Sequence, residues 1–222
     1  MTIWSPWPEV PDLLADLEVP GARWFQPARA DIPRLLELVR TYPDIAVGAE
    51  SVHGQRGFWD YQVQLRDLDG PRWIFPVALE RGSRVVALLT VELRPQQRLL
   101  EGRLALVAPD ERARGIGAML AGPIPERIGR AVGAELLLSY ATLAHRHSQA
   151  LLVQHGYRLA GVIPGYDLDR LADGTVRRVW EALYVKLLVG AAAVHQPALE
   201  DLLPATRAVA AALGLLGRGP AV

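Results

Sequence analysis

Residues 112–118, Arg-Ala-Arg-Gly-Ile-Gly-Ala, set two guanidinium groups beside a run of small residues at 115, 117 and 118. That combination suits the holding of an anion. Small residues let a ligand approach the main chain, and the first turn of a helix carries N–H groups with no partner of their own. The preceding stretch, Leu99–Val107 (LLEGRLALV), is apolar with polar residues interspersed, as a largely buried strand is, and Pro109-Asp110 breaks it. Beyond the glycines, Ile116, Met119 and Leu120 share one side of a helix. Strand, turn and helix read together as a pyrophosphate cradle, although a tight turn that holds nothing has the same letters. Two other cradles are excluded. No Lys-Ser/Thr pair follows the glycines, and the three-glycine dinucleotide pattern is missing.

The order Arg112-x-x-Gly115-x-Gly117-Ala118 after a strand ending in Val107 resembles the coenzyme A loop of the GNAT N-acetyltransferase/N-acyltransferase superfamily. The resemblance runs over about Arg23–Val189 and is strongest from Leu99 onward. It implies an α+β fold with a mixed, mostly antiparallel twisted sheet flanked by helices. It implies acetyl-CoA or a longer acyl-CoA as co-substrate, without a metal, and direct transfer of the acyl group to a primary amine. Arg112, Ala113, Arg114, Gly115, Ile116, Gly117 and Ala118 would then hold the diphosphate. Main-chain groups at Leu106, Val107 and Ala108 would hold the pantetheine arm and the thioester carbonyl.

Glu101 lies eleven residues before Arg112, the offset at which some members carry a glutamate base. Alternation puts Glu101, Arg103, Ala105 and Val107 on one face, so Glu101 could equally pair with Arg103, and Glu92 is the second choice. At the acid the sequence departs from the family. Many members carry Asn-x-x-Ala-x-x-x-Tyr-x-x-x-Gly-Phe, and aligning on Gly156-Tyr157 puts His145, Ser148 and Leu152 at the first three positions. A leucine moves no proton, so Tyr140, His145 and His147 stand in by their nearness in sequence; for His147 a surface or capping role competes. The acceptor would lie between Phe58-Trp59-Asp60-Tyr61 and the segment carrying Tyr166 and Asp167. Trp59, Asp60, Tyr166 and Asp167 are the expected contacts, the carboxylates favouring a cationic amine. An irregular loop plugged by aromatics is the competing view of residues 44–71.

The elements that must position these residues follow from periodicity and breakers. Strands are predicted at Arg23–Gln26, Trp73–Leu79, Arg84–Leu93, Leu99–Val107, Ala134–Ala141, Tyr157–Ile163 and Thr175–Val189. Helices are predicted at Pro11–Leu17, from Asp31 to Tyr42-Pro43, from Gly115 to Val132 with a restart near Ile124, and up to His155. Pro164–Gly174 reads as a loop. Pro204 opens a last helix whose Val209, Leu213 and Leu216 form an apolar stripe, for packing on the domain or for a dimer contact. The chain divides into an arm at 1–21 anchored by Trp4 and Trp7, a domain at 22–189, and a helical extension at 190–222.

Composition bounds the rest. The 222 residues are 50% hydrophobic with a formal net charge of zero, which offers little attraction to nucleic acid or an acidic membrane. Without cysteine there is no disulfide, thiolate metal site or acyl-cysteine intermediate. Met1–Val10 lacks the pattern of a secretory signal and Leu187–Val194 is too short to span a bilayer, so a cytoplasmic protein is expected. The expected partner is a small-molecule amine or a peptide. A catalytically idle acyl-CoA-binding module and a structural protein with an empty turn are the alternatives.

Overall fold

The computed structural model describes residues 6–43, 45–171 and 173–214. Along the chain come α1 (Val10–Leu13), β1 (Arg23–Phe25), α2 (Ile32–Arg40), α3 (Arg56–Tyr61), β2 (Ile74–Arg81), β3 (Arg84–Arg94) and β4 (Leu99–Val107). They are followed by α4 (Ile116–Ala121), α5 (Pro123–Ala131), β5 (Leu136–Thr142), α6 (His147–Gln154), β6 (Arg158–Arg170), β7 (Val176–Leu187) and α7 (Pro204–Ala212). The seven strands form one sheet in the order β1-β2-β3-β4-β5-β7-β6, antiparallel except where β4 meets β5. This is the α+β architecture expected from the sequence.

Every residue of Ile74–Leu79 and Val85–Val91 is buried, so both faces of β2 and β3 are covered and their sequences read as apolar runs without alternation. On one side α2 packs on β3 and turns Ile32, Leu35, Leu36, Leu38 and Val39 inward. α4 and α5 pack on β4, and α6 on β5. The predicted helix from Gly115 is two helices. Gly122 breaks it, with φ −121° and ψ −92°, and Pro123 opens the second. A Cβ at position 122 would lie 2.2 Å from the His155 ring, so the break also makes room for α6.

The feature that shapes the site is a fork. β4 and β5 pair only from Leu99↔Leu136 to Glu101↔Leu138, although β4 runs on to Val107 and β5 to Thr142. At the crotch, Gly102 approaches β5 so closely that a Cβ there would stand 3.2 Å from Ser139 Oγ. One step on, Arg103 is the extra residue of a bulge against Thr90 and Val91 of β3, and a bulge bends its strand. The two strands then part.

Two expectations change. Pro164–Gly174 is largely strand: β6 continues through Pro164 to Arg170 and returns as β7. Gly165, at φ +62°, absorbs a bulge between Ile163 and Asp167, and a proline on an edge strand can turn its missing donor outward. Among the described residues of 45–71 the regular structure is the short α3, a 3-10 turn and a single bridge from Val63 to Ile74. The stripe on α7 is not packed on the domain: Val209 is 58% exposed, and Leu216 lies outside the described residues. The Arg158 guanidinium reaches Gly214 O just past α7. In the arm, Trp7 is an anchor, stacked on Phe75 at 4.7 Å and donating to Arg72 O; Trp4 lies outside the described residues. Among the described residues no helix is long and apolar enough to cross a membrane.

Candidate active site

Main-chain groups along a strand point alternately to its two neighbours. Ala108 N–H donates to Val86 O at 2.8 Å, and Leu106 faces Leu88 in the same β3–β4 ladder. Ala105 and Val107 therefore turn their N–H and C=O groups the other way, into the fork. At Val107 these groups are already taken. The Tyr42 hydroxyl accepts from Val107 N–H at 2.9 Å and donates to Val107 O at 2.5 Å. Leu106 and Ala108, expected to hold the pantetheine arm, are thus corrected to ladder residues, and Val107 can hold it only when Tyr42 leaves. The ladder uses two of them and Tyr42 the third, leaving Ala105 as the open main-chain position in the fork.

Past Val107 the chain enters the glycine loop. Ala113 (φ +63°) and Gly115 (φ +80°) are both left-handed, and Gly115 caps α4. No described residue accepts a hydrogen bond from the main-chain amides of 112–117; the first donors are those of Ala118 and Met119, both to Gly115 O. Around this loop stand four guanidinium groups and two carboxylates. Arg81 grips the buried Glu111 through two bonds of 2.8 and 3.2 Å, Arg114 lies 3.5 Å from Glu111, and Arg84 pairs with Asp110 at 2.5 Å. Arg112 has no carboxylate among the described residues and lies over the Tyr42 ring, 5.4 Å from its centroid. The surplus charge is positive, as a phosphate site requires.

A second polar cluster lies at the crotch. Glu101 is only 4% exposed, and each of its oxygens carries a guanidinium: Arg94 on Oε2 at 2.7 Å and Arg103 on Oε1 at 3.2 Å. Arg103 also approaches Glu92 at 3.6 Å. Glu101 is therefore paired with Arg103, but in a buried network and not on a solvated edge. Tyr140 projects from the same face and stacks on Tyr166, centroids 5.0 Å apart, so two of the predicted residues meet. Burial pushes the Tyr140 phenol up to about 12, with its hydrogen bond to Tyr166 and the nearby Glu101 charge adding.

Two residues of this region were missed in the sequence. Glu181 on β7 stands opposite Thr142 and is 7% exposed. Burial lifts its carboxyl to about 7, helped by Asp167 and Asp169 and opposed by a hydrogen bond from the Thr142 hydroxyl. The signal was available: an acid inside Val179-Trp180-Glu181-Ala182-Leu183, between apolar neighbours. His53, in the turn before α3, is buried edge-on to Phe58, and burial, then the Arg103 charge, lowers it to about 4. Neither of its ring nitrogens has a partner among the described residues.

The remaining predicted residues fall elsewhere. Trp59 is fully buried and donates to His53 O at 2.8 Å, which makes it a core residue and corrects its expected place in the acceptor wall. Asp60 is already engaged, by Arg56 at 3.2 Å and Arg29 at 3.9 Å. Asp167 shares the Glu181 face. His147 opens α6, is exposed, and makes none of the contacts that join Tyr140, Tyr166 and Glu101. Leu152 is 5% exposed and sits in the core, so α6 supplies no acid at that position.

No protein-family model matches the sequence, and no curated protein matches it. Solved structures do match. The ribosomal-protein-S18-alanine N-acetyltransferase from Escherichia coli superposes with a TM-score of 0.59 at 13% identity, covering 79% of this chain and 99% of its own. A GNAT-family acetyltransferase from Streptococcus pneumoniae gives 0.58 at 12% identity, covering 75% and 99%. A spermidine N-acetyltransferase chimera from Vibrio cholerae SpeG and hSSAT gives 0.58 at 12%, covering 75% and 95%. At these identities the likeness is one of fold.

Proposed function

We propose that this chain, whose fold is that of the GNAT N-acetyltransferases, moves an acetyl or longer acyl group from coenzyme A directly to a primary amine. The reading is carried by the parting of β4 from β5 beyond Glu101 and Leu138, on the strand that leads into the amides of 112–117, which have no acceptor among the described residues. An extended pantetheine arm suits a gap between parted strands because it can replace the hydrogen bonds of the missing neighbour. The diphosphate suits the loop amides together with Arg112, with Arg114 beside it.

In the transfer the amine nitrogen attacks the thioester carbonyl, a C–N bond forms, and the C–S bond breaks. Glu181, poised near neutrality, takes the amine proton. Tyr140 keeps its proton at all ordinary pH and donates it to the leaving sulfur. Tyr166 backs the Tyr140 ring. Glu101 fixes Arg94 and Arg103 and acts through them as a positioning residue, not as the base. Asp167 and Asp169 beside Glu181 favour an acceptor that arrives as a cation and releases one proton to solvent before its neutral form attacks. A free amine and an amino group carried on a peptide both meet that requirement.

The test is thiol release from an acyl-CoA series against monoamines, polyamines and peptides with a free amino group. Release with at least one pair, lost in Glu181→Gln, supports the transfer; no release with any pair sinks it. A second reading, an acyl-CoA-binding module without turnover, is favoured by Leu152 in the core and by the two arginines closing Glu101. It predicts binding that Glu181→Gln leaves unchanged and no thiol release at all.

A further inference from the structure

Tyr42 stands in the fork at the place a carrier's amide would need. Its hydroxyl meets both main-chain groups of Val107, accepting from the N–H and donating to the C=O. A secondary amide in an extended arm also offers one acceptor and one donor, so it would make the same two bonds, and the two occupants exclude each other. The tyrosine is well placed to give way. It lies just beyond Thr41, the C-cap of α2, and is followed by Pro43, so its side chain can turn without unwinding the helix. Its ring is covered by Arg112, the one guanidinium of the loop with no carboxylate among the described residues. A diphosphate in the loop would compete for that guanidinium, because a charge-assisted bond to phosphate outweighs a contact with a neutral ring.

We infer that Tyr42 is a stand-in for the carrier's amide that sets the protein's affinity for coenzyme A, and that Arg112 links its release to filling of the phosphate loop. The inference rests on the acyl-CoA reading above. Binding proceeds as an exchange. The diphosphate draws Arg112 from the ring, and the pantetheine amide then displaces the loosened phenol and takes over both bonds to Val107. The hydrogen bonds broken and made are equal in number, so the cost lies in displacing a partner already in place.

Calorimetric titration of the full chain with coenzyme A, and separately with ADP, tests this in wild type and Tyr42→Phe. The phenylalanine keeps the ring under Arg112 and removes only the competing hydroxyl. Tyr42→Phe is expected to bind coenzyme A about five-fold more tightly, the worth of a net hydrogen bond no longer to be broken, and ADP equally well. Equal or weaker binding of coenzyme A by a folded Tyr42→Phe, with wild type binding, overturns the stand-in role and leaves the acyl-CoA reading intact. Absence of coenzyme A binding in both proteins overturns both. Should the variant fold poorly, the NMR signals of the Tyr42 ring in wild type decide: they move on addition of coenzyme A if the phenol is displaced, and unmoved signals in a bound protein contradict the exchange.

Discussion

The rings of Tyr140 and Tyr166 lie parallel, their centroids 5.0 Å apart and their planes 9° apart, one on β5 and the other on the bulge of edge strand β6. The bulge is what allows the meeting, because strict alternation beyond Gly165 would change which face Tyr166 presents. Tyr140→Phe is expected to lower kcat by about a hundred-fold or more with little change in coenzyme A affinity, as loss of a proton donor should. Tyr166→Ala, which removes the support of the Tyr140 ring, is expected to lower kcat in the same direction but by less. Steady-state kinetics on the two variants checks both.

Glu181 and Glu101 separate by pH. A base lifted to about 7 gives kcat/KM an acid limb near that value, and Glu181→Gln should remove the limb together with most of the rate. The stability effect has a definite sign. The folded carboxyl binds its proton more tightly than the unfolded one, so wild type loses stability as pH rises from about 4.5 to about 7. Glu181→Gln escapes that loss and should gain on wild type across the window by on the order of 1 kcal/mol, after allowance for solvent screening. Glu101→Gln, by contrast, should keep the acid limb and lose about 2 kcal/mol of stability, since it weakens the buried partner of two guanidinium groups. Denaturant melts at several pH values distinguish them.

His53 works in the opposite direction. Its folded value of about 4 lies below the ordinary 6.5, so the unfolded state takes up the proton first as pH falls. Its contribution is fully present above about 6.5 and fades towards 4, amounting to about 3 kcal/mol at most. The imidazole signals of His53 should stay in the neutral form at pH 5.5 by NMR. A protonated ring at that pH would contradict its burial without partners.

At Gly115 a Cβ would meet nothing within 4 Å, so any harm from Gly115→Ala must come through the backbone at φ +80°. The expected loss is about 1 kcal/mol in stability. Coenzyme A affinity should fall by more than that strain implies if relaxation turns the amides of 112–117 away. Arg112→Gln should weaken coenzyme A binding and reduce its dependence on salt, which calorimetry at two ionic strengths measures.

Much of this was legible because it follows from local chemistry. Leu99–Val107 is a strand with the boundaries its apolar run gives, and Pro123 restarts a helix because it cannot continue one. The sequence points to Tyr140 and Tyr166 separately, and only the sheet shows that they touch. What stayed hidden depends on partners distant in sequence. Whether Trp59 lines a cleft or fills the core turns on what covers α3, and whether Val107 N–H is free turns on Tyr42 from another element. Glu181 looked like one more polar residue on a long strand until β5, Asp167 and Asp169 closed around it.

In the proposed function the fork and the loop together hold a thioester carrier. Amide NMR during titration with acetyl-CoA tests it most directly, because the main-chain groups themselves are the proposed ligands. The largest shifts are expected at residues 112–117 and at Ala105, saturating together. Amides that stay still there while acetyl-CoA is present in excess, or shifts that gather on another face of the sheet, would contradict it.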